Sequence, residues 1–104
     1  MGLISVAAFR PRAGQEAALT RVLDDRLPLL RSLGLATERG EVRMRSADGV
    51  VVSVSEWASQ EAVDRAHQTP EVHELWARFD ACSTFVRLRE LGEAGEMFAT
   101  FEAV

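Results

Sequence analysis

"VVVSVSEWASQEAVDRAHQTPEVHELWARF", residues 50–79, is the stretch of sequence that decides the fold. Its first eight residues are dominated by valine, which predicts a strand ending at Trp57. Ser59 can cap a helix over residues 60–68, and Thr69 followed by Pro70 is typical of the start of another helix. The stretch therefore predicts a strand followed by two helices with a break between them.

The chain before residue 50 predicts a strand, a helix and a second strand. Leu3 to Arg10 form a short apolar run that ends in a turn, which favours a buried strand. Residues 15–33 carry apolar side chains at intervals of three and four, the period of an amphipathic helix, and Gly34 is a typical helix end. We expect Pro28 to kink or restart this helix. Residues 42–45 alternate apolar and charged, and the turn "SADG" joins them to the next strand as a β-hairpin.

The chain after Phe79 predicts one more strand and a C-terminal helix. Residues 84–91 read as the fourth strand. The tail, about residues 93–104, carries four apolar side chains at helical spacing, which predicts a short amphipathic helical extension. The complete order indicates one ferredoxin-like α+β domain over residues 1–104, a four-stranded antiparallel sheet with helices on one face.

Composition and charge exclude several functions. The formal net charge is −4, which argues against nucleic-acid binding because that needs a basic stripe. The chain has no lysine, so Schiff-base and P-loop chemistry based on lysine is excluded. Cys82 is the single cysteine, which rules out an internal disulfide. No segment approaches the ~20 apolar residues of a membrane span and no signal peptide is recognisable, so the expected location is the cytoplasm.

The first and third predicted strands are small or apolar on both of their faces. An antiparallel sheet with one wet face should alternate instead. Because the helices of 104 residues cover only one face, we expect a second copy of the chain to cover the other. The sequence predicts a homodimer that forms through the open sheet face.

Residues 50–79 also resemble a known family. Trp57 at the end of a strand, "SQEA" at the start of a helix and His67 ten residues after the tryptophan are similar to the antibiotic biosynthesis monooxygenase (ABM) family of the dimeric α/β-barrel superfamily. The resemblance implies two sheets packed face to face as a dimeric α/β barrel, with a ligand cavity between sheet and helices in each protomer. Members include cofactor-independent monooxygenases that oxidise aromatic polyketides to quinones, which implies no cofactor, and haem-degrading enzymes.

This chain has different residues at several positions that match functional residues of the family. The haem-degrading members use an asparagine, a tryptophan and a histidine at positions that match Ala7, His67 and Ala77, so haem degradation is not expected. The quinone-forming members are associated with asparagine, tryptophan, tyrosine and arginine around the substrate. This chain has no asparagine and no tyrosine. A monooxygenase activity would therefore rest on the fold rather than on a complete residue set.

Two residues are candidates for acid-base chemistry. His67 lies in the last turn of its helix at the border of the apolar face, where its ring would line the cavity as a base or donor. A histidine at a helix end also serves to satisfy free carbonyl groups, so a structural role is the alternative. Glu56 shares a strand face with two valines and would be its acid-base partner in the cavity. Its alternative is an ion pair with an arginine.

Four aromatic residues are candidates for substrate binding: Trp57, Trp76, Phe98 and Phe101. The tryptophans would shape the pocket, and the phenylalanines of the terminal helix would close it, whereas the alternative for the tryptophans is a core or interface role. Arg43 and Arg45 are expected on a solvated strand face. His73 begins "HELWA", half of a zinc-protease motif, but Ala77 occupies the position of the second ligand, so no metal site is predicted.

Two functions from different classes remain open. The first is a small cofactor-independent monooxygenase-like homodimer that holds an apolar or aromatic ligand. The second is a non-catalytic ligand-binding or dimerisation module of the same fold. An open pocket containing His67 and Glu56 would favour the enzyme.

Overall fold

The structure is a computed structural model that describes residues 2–104. It is an α+β structure with one antiparallel sheet. Its strands follow the spatial order β4-β1-β3-β2-β5. The elements, in chain order, are β1 (Leu3–Pro11), α1 (Glu16–Ser32), β2 (Val42–Arg45), β3 (Val51–Trp57), α2 (Gln60–Ala66), α3 (Pro70–Cys82), β4 (Ser83–Val86) and β5 (Glu102–Ala103). The predicted ferredoxin-like class is confirmed, and a short fifth strand extends the sheet.

The helix boundaries follow from local chemistry. The backbone N–H of Leu35 donates to the Leu30 carbonyl at 2.8 Å, and that of Gly34 donates to Arg31 at 3.0 Å. This is the Schellman arrangement, and Gly34 permits it because its φ is +72°. The α1 helix runs through Pro28 without restarting. The Ser59 hydroxyl accepts from the Ala62 N–H at 3.0 Å, so the predicted cap of α2 is confirmed.

The face of the sheet that carries Phe9 and Val51 packs against the helices. Two clusters of buried side chains fill this layer. One joins β1, β3, α1 and α3 around the Phe9 and Phe79 rings, which are stacked with centroids 4.6 Å apart. The other joins the end of α1 to α2 and α3 and includes Leu30, Ala66 and Val72.

The opposite face, called the open face below, is covered by residues 2–104 only at one end. There Leu91 is buried against Ala8, Val50 and Val52, and Phe101 packs beside them. Strand β4 ends at Val86 rather than at residue 91, because the chain turns through two 3₁₀ segments (Leu88–Glu90 and Gly92–Gly95) that bring Leu91 onto this face.

The predicted C-terminal helix is wrong. Residues 93–104 contain the end of the second 3₁₀ turn, irregular chain and β5, which pairs with β2. The apolar spacing that indicated a helix has a different origin. Phe101 packs on the open face, whereas Met97 and Phe98 are exposed, so the four apolar residues do not form one buried stripe.

Candidate functional site

Small residues form the centre of the sheet face that lies under α1. In the paired central strands, Ser5 lies opposite Ser55 and Ala7 lies opposite Ser53. These four share the side of Phe9, which packs against the helices. Serine and alanine do not fill the layer between sheet and helix, so this floor accommodates long side chains from α1 and polar contacts to its hydroxyl groups.

Arg26 of α1 extends into this layer. Only 8% of its surface is exposed. Its Nη1 donates to the Ser55 hydroxyl at 3.0 Å, and its Cζ lies 5.8 Å from the centroid of the Trp57 ring. Burial lowers the Arg26 pKa, although the negative charge of Glu41 opposes this effect. A charged guanidinium with one neutral hydrogen-bond partner is thus held in a low-dielectric layer, beside an aromatic face.

A compensated set of charges lies next to Arg26. Arg43 of β2 donates to Glu41 at 2.9 Å and to Asp24 at 2.9 Å, and the Ser53 hydroxyl donates to Glu41 at 2.5 Å. Burial alone would lower the Arg43 pKa, but the hydrogen bonds that Arg43 donates to these two carboxylates raise it above its ordinary value. The expectation that Arg43 lies on a solvated face is wrong, because it faces the helix side, where the two acids neutralise it.

Arg26 differs from Arg43 in its pairing. Arg26 takes part in none of the ion pairs, defined by an N to O distance of up to 4.0 Å, that form within residues 2–104. The Glu41 carboxylate next to it is already bound by Arg43 and Ser53. Arg26 is therefore the buried cation of this layer that has no carboxylate directly bound to it.

His67 lies at the C-terminal end of α2 and is exposed. Its ring packs against Trp76 with centroids 5.0 Å apart. Its backbone carbonyl contacts the His73 Nε2 at 2.6 Å. His73 thus satisfies a free carbonyl where α2 ends and α3 begins, and both imidazole rings border Trp76.

Glu56 lies on a different side of the sheet from Arg26. It alternates with Trp57 and Ser55 along β3 and shares the direction of Val52, which belongs to the open face. The Thr37 hydroxyl donates to its Oε1 at 2.7 Å, and the Arg39 Nε lies 3.2 Å from its Oε2. The hydrogen bond from Thr37, then that from Arg39, lower the pKa of Glu56. Glu56 therefore forms the predicted type of ion pair, and the structure does not bring it to His67.

The four predicted aromatic residues are divided between the two faces. Trp57 and Trp76 pack against the same buried cluster between sheet and helices. Phe101 packs on the open face, and Phe98 is exposed in the C-terminal segment. Only the tryptophans thus lie near the layer that contains Arg26, and the substrate-binding roles of all four remain predictions.

Sequence and structure comparisons agree with this architecture. A family model described as "Antibiotic biosynthesis monooxygenase" matches residues 2–78, which is more than half of the chain. The chain belongs to the antibiotic biosynthesis monooxygenase family. The resemblance noted in residues 50–79 is confirmed. A solved structure, that of Rv0793 from Mycobacterium tuberculosis, matches with a TM-score of 0.62 and 22% sequence identity over 84% of this chain and 94% of that chain, which shows a shared fold. A comparison with curated proteins found no match.

Within this ABM-family fold, sequence reasoning missed Arg26. The apolar stripe of α1 includes Val22, Leu23 and Leu30, and position 26 lies on the same side, since it is four residues after the first and four before the last. A single charged residue inside such a stripe indicates a buried ionic group. Asp24 carried no comparable signal, because its partner Arg43 lies 19 residues away in the sequence and becomes close only after folding.

The described part of this ABM-family chain lacks two further features. Among residues 2–104, no three His, Cys, Asp or Glu side chains are grouped closely enough to hold a metal ion. No helix within the same residues has the length and apolar content that a bilayer crossing requires.

Proposed function

We propose that this ABM-family protein is a cytoplasmic homodimer that binds a small aromatic molecule between sheet and helices and oxidises it as a cofactor-independent monooxygenase. The observation that carries this proposal is the buried Arg26–Ser55 pair beside Trp57. Ligand sites combine apolar and aromatic walls with a few convergent polar groups, which is the composition of this layer.

The open face supports the homodimer. Ile4, Val6 and Val42 are 55%, 44% and 57% exposed. Val6 and Val42 both lie opposite Val54 in the register of the central strands, so the exposed side chains form a continuous patch. Water-exposed apolar surface on a sheet face is a typical site of association, and a second copy supplies a matching surface about a two-fold axis.

The proposed reaction needs electrons from the substrate, because no cofactor supplies them. A ring methylene of a hydroxyaromatic substrate reacts with one dioxygen molecule; the carbon becomes a carbonyl and the second oxygen atom leaves as water. An ionised ring hydroxyl makes such a carbon electron-rich, and a nearby guanidinium stabilises that ionised form. The catalytic roles of His67 and Glu56 and the substrate contacts of Phe98 and Phe101 stay predictions within this proposal.

The proposal is tested by oxygen uptake with the purified protein. Two- and three-ring hydroxyaromatics that contain an oxidisable methylene are incubated without added metal or cofactor, and dioxygen consumption and quinone absorbance are followed. We expect uptake above the spontaneous rate, which falls in Trp57→Leu but not in a variant of the exposed Arg21. Uptake that is equal with and without protein for every compound that binds would contradict a monooxygenase.

A non-catalytic ligand-binding module is the second candidate. The observation that favours it is that the Glu56 carboxylate is already bound by Thr37 and Arg39, whereas the His67 ring is exposed beside Trp76. A site without an available acid-base pair can hold a ligand without transforming it. Saturable binding of an aromatic compound without oxygen uptake would establish this alternative.

A further inference from the structure

We propose that the first half of β1 is a docking edge for an extended apolar segment of another protein, which joins the sheet as an added strand. β1 pairs with β3 over residues 3–9, whereas β4 pairs with it over residues 8–11. After Val86 the chain turns away into the 3₁₀ segments. The edge of β1 over residues 3–7, in line with β4, is called the β1 slot below. At about 3.4 Å per residue it is about 17 Å long.

The backbone groups of Ile4 and Val6 point into the β1 slot. Successive residues of a strand direct their N–H and C=O groups to opposite sides. The Arg12 N–H donates to the Cys82 carbonyl at 2.9 Å, in the continued register of β1 with β4, so the even-numbered residues of β1 face the β4 side. Within residues 2–104, the backbone hydrogen bonds outside regular elements include none to Ile4 or Val6. Two N–H and two C=O groups are thus available to a partner backbone.

The β1 slot lacks the features that usually protect a sheet edge. Residues 3–7, Leu-Ile-Ser-Val-Ala, include no charged residue and no proline. The register between β1 and β3 also advances by one residue at each step, without a bulge. Charges, prolines and bulges are the usual means by which proteins prevent an edge from pairing with another strand. This edge is therefore open to strand addition.

The side chains beside the β1 slot favour an apolar partner segment. Ile4 and Val6 are exposed on the open face, and Leu3 is exposed on the helix side. Phe85, the next helix-side residue in line with the slot on β4, is 59% exposed. An added strand directs alternate side chains to the two faces, where they contact these residues. The backbone bonds supply affinity, and the alternating side chains supply selectivity.

A separate segment enters the β1 slot more readily than a second copy of the chain. Two β1 edges that pair antiparallel about a two-fold axis keep both helical layers on the same side of the joined sheet, where they lie next to each other. A single extended segment carries no helical layer. It also ends where Val86 begins, so it continues the line of β4 without displacing that strand.

Peptide binding to the folded wild-type protein tests this proposal. The probe is Lys-Phe-Val-Thr-Val-Leu-Lys with blocked ends, followed by fluorescence anisotropy, and its valines stand opposite Val6 and Ile4 in the antiparallel register. Methylating the two valine nitrogens removes the N–H groups that point at β1, whereas methylating the phenylalanine and threonine nitrogens removes groups that point away. We expect the first change to weaken binding at least about tenfold and the second less than about threefold. Equal affinities of the two methylated peptides, or no saturable binding up to about 1 mM, would overturn the proposal.

Amide hydrogen exchange locates the bound peptide. In the free protein the amides of Ile4 and Val6 should exchange fast, and those of Ser5 and Ala7, which face β3, should exchange slowly. Added peptide should slow the exchange of Ile4 and Val6. Slow exchange of these two amides without peptide would mean that the protein or a second copy already fills the slot, which would contradict the proposal.

Two variants at one position separate backbone from side-chain effects. Val6→Pro removes the N–H that points into the β1 slot and leaves the pairing with β3, because proline is tolerated where its nitrogen faces a free edge. Val6→Thr keeps that N–H and nearly the same shape. A folded Val6→Pro should bind the peptide at least about tenfold more weakly, and Val6→Thr should stay within about threefold of wild type. Unchanged binding by a folded Val6→Pro would refute the proposal, and the methylated peptides test it even if this variant does not fold.

Discussion

Replacing Val6 by aspartate should dissociate the proposed homodimer. Ile4, Val6 and Val42 are each about half exposed on the open face. Full burial of such a side chain is worth about 1.5–3 kcal/mol, so covering the exposed half contributes about 1 kcal/mol, or about 6 kcal/mol over both copies of the three residues. Two-fold symmetry places the substitution in the interface twice. Losing both valine contributions and desolvating two facing carboxylates should cost at least 4 kcal/mol, which is about a 1,000-fold weaker association.

Sedimentation velocity over a micromolar concentration series measures this effect. The wild-type protein should sediment as a dimer, and Val6→Asp should sediment as a monomer with an unchanged circular dichroism spectrum. Leu3→Asp is the matched control, because Leu3 is on the same strand with 41% exposure but faces the other side of the sheet. Equal dissociation constants for Val6→Asp and wild type, or a wild-type protein that is monomeric at micromolar concentration, would refute the assignment of the open face.

Three further predictions concern stability. Arg26→Leu should leave the free energy of unfolding within about 1 kcal/mol of wild type or raise it, because removing a buried ion offsets the lost Ser55 hydrogen bond and Trp57 contact. A decrease of more than about 3 kcal/mol, measured by urea titration, would mean that the fold requires Arg26. Because the pKa of Glu56 is lowered from its ordinary value of 4.5, its ionised carboxylate stabilises the fold at pH values above 4.5, and this contribution is lost as the pH falls through the folded-state pKa. Glu56→Gln should therefore flatten the acid side of a plot of unfolding free energy against pH. An unchanged plot would contradict the Thr37 and Arg39 contacts. Leu91→Ala should destabilise the protein by about 2–5 kcal/mol, because Leu91 is buried on the open face. If Leu91→Ala has the same thermal unfolding midpoint as wild type, the C-terminal segment does not pack there.

The fold could be predicted because its signals are local. The Ser59 cap, the Gly34 helix end and the alternation of strand residues each depend on neighbouring positions, and each appears in the structure where it was expected. The helix predicted for residues 93–104 is absent for a physical reason. A helical spacing of apolar residues does not specify a helix when a nearby sheet offers both an edge for β5 and a face for Phe101.

The candidate site was less predictable because it depends on contacts distant in sequence. Alternation places Arg43 opposite Val42 and Met44, but the pattern does not indicate that the helices cover the side of Arg43, where Asp24 neutralises it from 19 residues away. The sequence correctly places Glu56 on the same side of its strand as Val52. It does not show that this side lies opposite to Arg26, because that depends on where the helices pack. Arg26 itself did leave a signal, as the charged member of an apolar helical stripe, and a charged residue at such a position indicates a buried ionic group.

We propose that an aromatic ligand binds between α1 and β3 with its charged oxygen at Arg26, beside Ser55 and Trp57. A crystal structure of the protein with bound 4-nitrophenolate tests it most directly. We expect the phenolate oxygen within hydrogen-bond distance of the Arg26 guanidinium and the ring against Trp57. A ligand found only on the open face, or only on the exposed surface, would contradict it.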